Sequence, residues 1–426
     1  MLNYLFKNIL ITDTLSPFNG QLGDMSVNNG VITQFSMQID ATNFDQIIDC
    51  SNCFATPSFV DVRCNSTEPG HEQRDTFESL NHTALAGGYS HIALLPNSFP
   101  ARNAKADIEF VVQHNNHNTV SFLPLGTITK NMEGNDLSEL YDMQKSGAVA
   151  FSNADHSIEN SGTLSKALLY SKNFDGLIYS FCFLSELSKG AYVAEGTVAL
   201  SLGLKGIPQM AEYLQVQRDI ELADYHQHRI HLSKISTERS VEAIRQAKLQ
   251  GIKVTCDVAV MNLVLTDEAI MDFDSMVKLM PPLRSANDVK ALWEGLKDGT
   301  IDAICTDHQP LEIEKKDLEF EYADFGALTM QTAFSLAIEG RNRFMPGLDD
   351  DILLNKFNYD AAKILNVKLN TINIGETAGF NIINPTEQTK LNDSNNRSLS
   401  KNTFYYNKPL PYKMEGIFIK NNYNKF

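Results

Sequence analysis

The sequence predicts a closed (β/α)8 barrel of the TIM type, together with a small β-sandwich domain that both ends of the chain build. Two patterns predict the barrel. After Pro57, about eight apolar strand candidates alternate with helical stretches, which is typical of a parallel sheet with helical crossovers. This region is also long enough to close the sheet into a barrel. A third pattern predicts the second domain, because the flanking segments contain short strand candidates separated by turns.

These patterns divide the chain into residues 57–366 for the barrel and residues 1–56 and 367–426 for the two parts of the sandwich. The first part contains LFKNILITD, DMSVNN, GVITQFSM and DQIIDC, and Asn29-Gly30 is a hairpin signal. The last part contains TINIGETAGFNIINP and MEGIFIKNN. The polar stretch LNDSNNRSLSKNT between them has no core signal. We expect the two parts to pair beside the barrel.

The barrel strands are expected at FVDVRC, HIALLPN, SFLPLGTI, AVAFSN, GLIYSFCF, RIHLSKIS, IKVTCDVAV and IDAICTDH. Helices are expected near residues 76–86, 105–113, 137–146, 161–172, 238–250 and 290–299. In such barrels the chemistry lies at the carboxyl ends of the strands. Candidate functional residues are therefore sought where each of these strands ends.

Composition indicates an ordinary globular protein of the cytoplasm. Of its 426 residues, 43% are hydrophobic and 21% are charged, and the net charge is -16. That charge argues against nucleic acid or an anionic membrane as a partner. The chain has no signal-peptide pattern and no apolar run of the roughly 18 residues that a membrane span needs. The six cysteines are scattered, so we expect buried thiols rather than a disulfide framework.

The first barrel strand and its turn, PSFVDVRCNSTEPG, are the most informative stretch. Alternation along the strand places Asp61, Arg63 and Asn65 on one face. The Glu68-Pro69-Gly70 turn then ends the strand.

Motifs along nearly the whole chain resemble those of the dihydroorotases, which have a barrel of the metal-dependent hydrolase type in the amidohydrolase superfamily. The resemblance is to the bacterial type that associates with aspartate carbamoyltransferase. It rests on PSFVDV with EPG, LLPN, AVAFSN, AEGTVALSLGLKGIPQMAE, VQRDI, HLSKIST, KLMPPLRS, EGLKDGTIDAICTDHQP, FGALTMQTA and LSKNT. It implies pyrimidine biosynthesis, one or two zinc ions in active members, and hydrolysis of the ring amide of dihydroorotate.

The resemblance also shows which residues stand at the family's zinc-ligand positions. The paired histidines of the first strand fall on Arg63 and Asn65. The aspartate of the fourth strand falls on Ala154, with Asp155 as a displaced remnant if the alignment slips by one residue. The histidine of the fifth strand falls on Phe181, or on Ser180 with a one-residue gap, and that of the sixth strand falls on Lys234. Asp307 keeps the aspartate of the eighth strand and is followed by His308.

The substrate positions differ from the family pattern as well. Thr67 stands where the family has the arginine that holds the substrate carboxylate, and Met280 replaces the asparagine of its N-P-P-L-R motif. Asn97 is retained in LLPN. Val260-Met261-Asn262 replaces the family's P-H-H. This set of residues predicts that neither metal nor substrate is bound in the family's manner.

A guanidinium stays protonated and repels a metal, and a lysine must lose its proton to coordinate one. We therefore expect no metal and no other cofactor. Our hypothesis is that Arg63 and Lys234 form an ion cluster with Asp307 in place of the metals, because an unpaired buried carboxylate is costly. The hypothesis requires Asp307 to lie within about 6 Å of both cations.

Three functions follow from these residues. The first is a dihydroorotase-like protein without catalysis, acting as a structural or regulatory partner of aspartate carbamoyltransferase. The resemblance also implies a homodimer. The second is an active divergent dihydroorotase or other cyclic amidase that uses relocated ligands. The third is a sensor of anionic small molecules. The relocated ligands would be Asp155, His156, Asp307 and His308, and the sensor would use Arg63, Lys234 and Asn97.

Other polar residues favour plain structural roles. His308 is expected to be a satisfied structural histidine, as are the three histidines of the H-x-H-x-x-H stretch, His226, His228 and His231. Lys315-Lys316 is expected to lie in a solvated loop.

Overall fold

The computed structural model describes residues 2–426. Five strands precede the barrel and begin the smaller domain: β1 (Asn3–Ile11), β2 (Leu22–Asn28), β3 (Val31–Ser36), β4 (Gln46–Asp49) and β5 (Phe54–Pro57). Strand β2 pairs antiparallel with β1 and β3, whereas β4 and β5 pair parallel with β1. No helix among the described residues is long and apolar enough to cross a membrane.

Eight parallel strands form the barrel sheet, and every predicted barrel strand is present in it. In the sequence, a short parallel pair of strands, β11 with β12, comes between the fifth and sixth barrel strands and is not part of the barrel sheet. In chain order the strands are β6 (Phe59–Cys64), β7 (Tyr89–Leu94), β8 (Ser121–Gly126), β9 (Ala150–Ser152), β10 (Ile178–Phe181), β11 (Val193–Ala194), β12 (Gly206–Ile207), β13 (Ile230–Ser233), β14 (Val254–Ala259) and β15 (Ala303–Cys305).

The barrel closes where the chain leaves its first and last strands. Cys64 and His308 form a parallel bridge, and the Asn65 amide donates to the His308 carbonyl at 3.0 Å. Deeper in the seam, the Thr306 amide donates to the buried Asp61 carboxylate at 3.0 Å. At this seam the Asp61 side chain thus accepts a hydrogen bond of the kind that backbone carbonyls accept between the other strands of the sheet.

Helices cover the outside of the barrel and follow its strands. They are α1 (Phe77–Ala86), α2 (Lys105–His114), α3 (Leu140–Lys145), α4 (Ser161–Ser171), α5 (Ser185–Ser188), α6 (Thr197–Leu202), α7 (Met210–His226), α8 (Glu238–Leu249), α9 (Met261–Val264), α10 (Ala286–Asp298), α11 (Ala333–Phe344), α12 (Asp350–Phe357) and α13 (Tyr359–Ile364).

Local capping explains where several of these helices begin. Helix α10 starts four residues before the expected position, because the Ser285 side chain accepts from the Asp288 amide and caps it. Thr76 and Thr237 cap α1 and α8 in the same way, at the positions expected from the sequence.

The chain ends in three strands, β16 (Phe380–Lys390), β17 (Pro409–Ile419) and β18 (Asn422–Lys425). They join β5 and complete one hydrogen-bonded sheet with β1–β3, as expected for a domain built from both termini. Strong curling of the sheet brings Phe418 of β17 close to Tyr4 of β1, with 5.1 Å between the two ring centroids. In a flat sheet these strands would stand about 14 Å apart, three strand spacings. The curl gives the domain a sandwich-like core.

The polar stretch between β16 and β17 packs against the barrel by hydrogen bonds rather than by apolar burial. The Ser398 hydroxyl donates to the Asp75 carboxylate at 2.8 Å. The Asn402 side chain accepts from the Leu311 amide at 3.0 Å and donates to the Gln309 carbonyl at 2.9 Å. The stretch therefore fixes two loops at the carboxyl end of the barrel, although it carries no apolar signal in the sequence.

Candidate functional site

Residues at the carboxyl ends of four barrel strands meet in one cluster of charges. Arg63 is the fifth residue of β6. Lys234 directly follows β13, whereas Asp307 comes two residues after the end of β15 and Asp155 three residues after the end of β9. Ala154, Lys234 and Asp307 all have positive φ, between 47° and 56°. This left-handed conformation is uncommon for residues other than glycine, and it concentrates at functional sites.

Arg63 and Lys234 each contact both carboxylates. Arg63 Nε lies 3.1 Å from Asp307 Oδ1, and its Nη2 lies 2.6 Å from Asp155 Oδ1. Lys234 Nζ lies 3.2 Å from Asp307 Oδ2 and 2.6 Å from Asp155 Oδ1. The Arg63–Asp307–Lys234 ion cluster expected from the sequence is therefore present in the structure. Asp155 joins it as a fourth member, and we call these four residues the ion cluster.

The ion cluster contains two cations and two carboxylates, so its charges balance. This balance matters because both cations are buried. The side chain of Arg63 is fully buried and that of Lys234 is 1% exposed. Although burial alone would raise the pKa of Asp155, the charges of Lys234 and Arg63 hold that pKa at about 2. Asp307 is more enclosed, and burial raises the pKa of its carboxyl against the pull of the same cations.

Two contacts fix the Lys234 ammonium from other sides. It donates to the Met280 carbonyl at 2.7 Å, and it lies 5.1 Å from the centre of the Phe181 ring. Phe181 is thus the residue of β10 that reaches the cluster, because Ser180 donates instead to Asp219 of α7 at 2.5 Å. Ala154 is buried among apolar residues and contributes no polar side chain.

A second layer of buried carboxylates supports the cluster from below. Asp257 accepts from the Lys234 amide at 2.8 Å and lies 2.8 Å from His231 Nε2. Burial would raise the pKa of Asp257, but the hydrogen bond and charge of His231 and the charge of Arg63 hold it below its ordinary value. Asp61 accepts from the Arg63 and Thr306 amides, and burial raises its pKa to about 7. These contacts fix the backbone on either side of the two cations.

The amides expected in the pocket satisfy one another. Asn97 Nδ2 donates to Asn65 Oδ1 at 2.6 Å, and Asn65 Nδ2 donates to the His308 carbonyl at 3.2 Å. Asn97 Oδ1 accepts from the Ser66 amide at 3.2 Å. The Thr67 hydroxyl donates to the Asp75 carbonyl at 2.6 Å. Their polar groups serve to hold the loop after β6.

His308 follows Asp307 but turns away from the ion cluster. Its Nδ1 accepts from the Thr329 and Met330 amides at 3.3 and 3.2 Å. Its Nε2 lies 3.5 Å from the Asp75 carboxylate. Because Nδ1 acts as the acceptor, the ring proton belongs on Nε2, facing Asp75. This geometry is that of a structural histidine.

The other histidines named from the sequence are not brought together. His226 pairs with Ser165, and His228 lies 2.9 Å from the Gly176 carbonyl. His231 lies inside the barrel beside Asp257. His156 is exposed. The relocated ligand set of Asp155, His156, Asp307 and His308 is therefore not assembled, although its two aspartates meet.

The donors at the carboxyl end of the barrel do not fit a zinc ion. Zinc in proteins takes imidazole, thiolate or carboxylate ligands. Here two cations, Arg63 and Lys234, contact both carboxylates of the ion cluster, at positions where the family resemblance implies ligands. Across residues 2–426, no group of three or more His, Cys, Asp or Glu side chains is placed to hold a metal ion.

Sequence reasoning missed two buried cations near this end of the barrel. Arg102 binds the Leu94 and Leu95 carbonyls and the Ser66 hydroxyl, and burial lowers its pKa to about 10. Lys278 was missed because its partners are a carbonyl and aromatic rings from distant loops, which no local pattern marks.

The expectation that Lys316 lies in a solvated loop is wrong. Its ammonium is buried and donates to the carbonyls of Ser275, Lys278 and Asp324 at 2.9, 3.2 and 2.8 Å. Burial, followed by the charge of Lys278, lowers the pKa of Lys316 to about 7. Lys315 does remain half-exposed. Lys316 thus ties the loop after β15 to the segment that leads to Met280.

Arg63→Met should lower the free energy of unfolding by about 3–5 kcal/mol, because two carboxylates would then share a single buried cation. The matched control is Arg74→Met, whose ion pair with Glu312 is partly exposed and is expected to contribute only about 0–1 kcal/mol. Urea unfolding measures both values. Equal losses for the two variants would contradict the importance given to the ion cluster.

Asp155→Asn tests the charge balance through pH. A folded pKa of about 2, against an ordinary value of 3.8, means that ionised Asp155 stabilises the fold above about pH 4. That contribution disappears as the pH falls through 2. The free-energy difference between unaltered protein and variant should therefore shrink over this window in urea unfolding. A difference that stays constant would show that Asp155 is not held by the two cations.

Solved structures with the same fold include hydantoinases. An L-hydantoinase (dihydropyrimidinase) from Arthrobacter aurescens superposes with a TM-score of 0.85 at 22% identity, covering 99% of this chain and 96% of that one. A D-hydantoinase crystal structure superposes with a TM-score of 0.81 at 17% identity, covering 99% and 95%. At these identities the likeness concerns the fold, and it confirms the barrel with an added sheet domain.

Sequence relatives are more similar. Residues 54–240 match the Dihydro-orotase-like family model, and residues 189–408 match that of the Amidohydrolase family. A dihydroorotase from Acetivibrio thermocellus is 36% identical over 404 residues, 94% of either chain. One from Caldanaerobacter subterraneus subsp. tengcongensis is 34% identical over 421 residues, 98% of this chain and 96% of that protein. With this identity along almost its whole length, the chain belongs to the dihydroorotase family.

Proposed function

We propose that this dihydroorotase-like protein of pyrimidine biosynthesis is non-catalytic and has a structural or regulatory role beside aspartate carbamoyltransferase. One observation carries the first half of the proposal. The ion cluster places the charges of Arg63 and Lys234 where, by family resemblance, active members hold zinc.

Hydrolysis of a cyclic amide needs a polarised carbonyl, an activated water and a group that moves a proton. Asp307 is the residue placed for proton transfer, but both of its oxygens are engaged by cations. A general base must be able to reach and accept the proton. The contacts of Asp307 oppose that role, because protonating it would break the pairing with Arg63 and Lys234.

The same contacts weaken the anion-sensor alternative. Both of its cations are paired with carboxylates, and the Asn97 amide is hydrogen-bonded at both ends. Within residues 2–426, one guanidinium nitrogen of Arg63, Nη1, has no hydrogen-bond partner. A single buried donor offers an anion much less than the three side chains that the alternative requires.

The role beside aspartate carbamoyltransferase rests on family resemblance and on the persistence of the scaffold. All eight strands and both parts of the sheet domain are retained, although the expected zinc ligands are replaced. A chain kept folded without its reaction is best explained by the contacts that it makes with other subunits. A homodimer is part of this proposal.

The proposal predicts no interconversion of dihydroorotate and carbamoyl aspartate above the rate without protein, even in zinc-supplemented buffer. The reason is that, within residues 2–426, no group of three or more His, Cys, Asp or Glu side chains is placed to hold a metal that would activate the water. The Acetivibrio thermocellus dihydroorotase, assayed under the same conditions, is the positive control. Zinc-dependent turnover by this chain that follows its concentration would overturn the non-catalytic assignment.

The second half of the proposal predicts a stable complex when this chain is co-expressed with aspartate carbamoyltransferase from the same organism. Size-exclusion chromatography with light scattering should show both chains in one peak of defined mass, at micromolar concentration. This chain alone is the control and should elute as a homodimer. Separate elution of the two proteins would remove the partner from the account and leave the non-catalytic assignment standing.

A further inference from the structure

The amino end of the barrel, opposite the ion cluster, contains a cavity of about 520 Å³. It lies where β10, β13, β14 and β15 begin, and α12 and α13 close one side. Its volume is within the range of about 300–1,000 Å³ that small-molecule sites occupy. Nothing in the proposed function uses this end of the molecule.

The cavity combines an apolar surface with several cations. Its apolar part consists of Leu177, Ile252, Val254 and Ile364. Its charged part contains four cations, Arg229, Lys253, Lys356 and Lys363, and two carboxylates, Asp302 and Asp360. This excess of positive charge stands out in a chain whose net charge is -16.

The two carboxylates do not neutralise the excess, because each is already paired. Asp302 accepts from Lys248, which lies outside the lining, at 2.7 Å. Asp360 lies 2.8 Å from Lys356. In the described part of the chain, no carboxylate lies within 4.0 Å of Lys253 or Lys363. Both lysines line the cavity and are exposed, so their ammonium groups are available to a ligand.

Arg229 adds a third donor to the same side. Its Nη2 donates to the Asp175 carbonyl at 2.7 Å, and its Nε lies 3.2 Å from the Asp175 carboxylate. That carboxylate is 78% exposed, and such surface pairs contribute little. A ligand carboxylate, sulfonate or phosphate oxygen would therefore replace Asp175 on this guanidinium at little cost.

We propose that this cavity binds a small organic anion that has an apolar body. The apolar body would lie on the aliphatic surface, and the anionic group would face Lys253, Lys363 and Arg229. Low-dielectric walls that carry a net charge concentrate its field inside a cleft, and in this lining the four cations outnumber the two carboxylates. The site is independent of the proposed function, since it lies at the other end of the barrel from the ion cluster.

Two fluorescent probes of nearly the same shape separate charge from apolar attraction. They are 8-anilinonaphthalene-1-sulfonate, which is anionic, and N-phenyl-1-naphthylamine, which is neutral. Titration of the full chain at neutral pH should give one saturable site for the anion, with a Kd about tenfold or more below that of the neutral probe. Raising the salt from about 50 to about 500 mM should weaken binding of the anion alone. Equal affinities for the two probes would overturn the proposal.

Charge reversal locates the site. Lys253→Glu with Lys363→Glu should raise the Kd for the anionic probe about tenfold or more. The matched control, Lys105→Glu with Lys166→Glu, makes the same change in net charge on exposed helices α2 and α4 and should leave the Kd within about twofold. Equal effects of the two double variants would show that only net charge matters, which would contradict the site.

A measurement on the unaltered chain covers the case in which the charge-reversed variant fails to fold. The anionic probe should protect Lys253 and Lys363 from acetylation by an N-hydroxysuccinimide ester, with Lys105 as the unprotected reference in the same sample. Peptide mass spectrometry gives the extent of acetylation of each of the three lysines. Acetylation of Lys253 and Lys363 that is unchanged by saturating probe would place the bound anion elsewhere and overturn the proposal.

Discussion

The buried guanidinium of Arg63, held between Asp155 and Asp307, is the interaction on which the carboxyl end of the barrel depends. A buried charge is tolerated only when it is paired and hydrogen-bonded. Arg63 meets this condition through residues that follow two distant strands, β9 and β15. Lys234, after β13, repeats both contacts and adds one to the Met280 carbonyl. Removing any member would leave an uncompensated charge, so the cluster fixes four strand ends together.

The two ends of the barrel differ in how their charges are used. At the carboxyl end, cations and carboxylates satisfy one another, and the surrounding amides of Asn65 and Asn97 are paired as well. Positive charge thus lies at the place where the family resemblance puts zinc, and both aspartates of the ion cluster are engaged by the two cations. At the amino end, Lys253 and Lys363 line a cavity and pair with no carboxylate of the described residues.

Much of this structure follows from the sequence, because strand and helix periodicity are clear along the barrel, whichever residues stand at the strand ends. The barrel strands and the contact of Arg63 and Lys234 with Asp307 were predicted, the latter because charges at strand ends converge. From the sequence, Asp155 was expected only as a displaced remnant or a relocated ligand. The left-handed turn at Ala154, which brings Asp155 into the ion cluster, leaves no pattern in the sequence. Helix α7 escaped prediction because its buried face carries Glu212, Gln215 and Asp219, which hide the apolar period. Lys316 was misjudged because its carbonyl partners belong to separate loops.

The side chains of Arg63 and Lys234 stand where the family resemblance places the metals. Anomalous X-ray diffraction at the zinc edge, from crystals grown with excess zinc chloride, shows whether zinc can take their place. We expect no anomalous peak beside Asp307 and both cations in contact with its carboxylate, as in the present structure. A peak within bonding distance of Asp307, about 2.0–2.2 Å, with Lys234 displaced, would contradict this expectation.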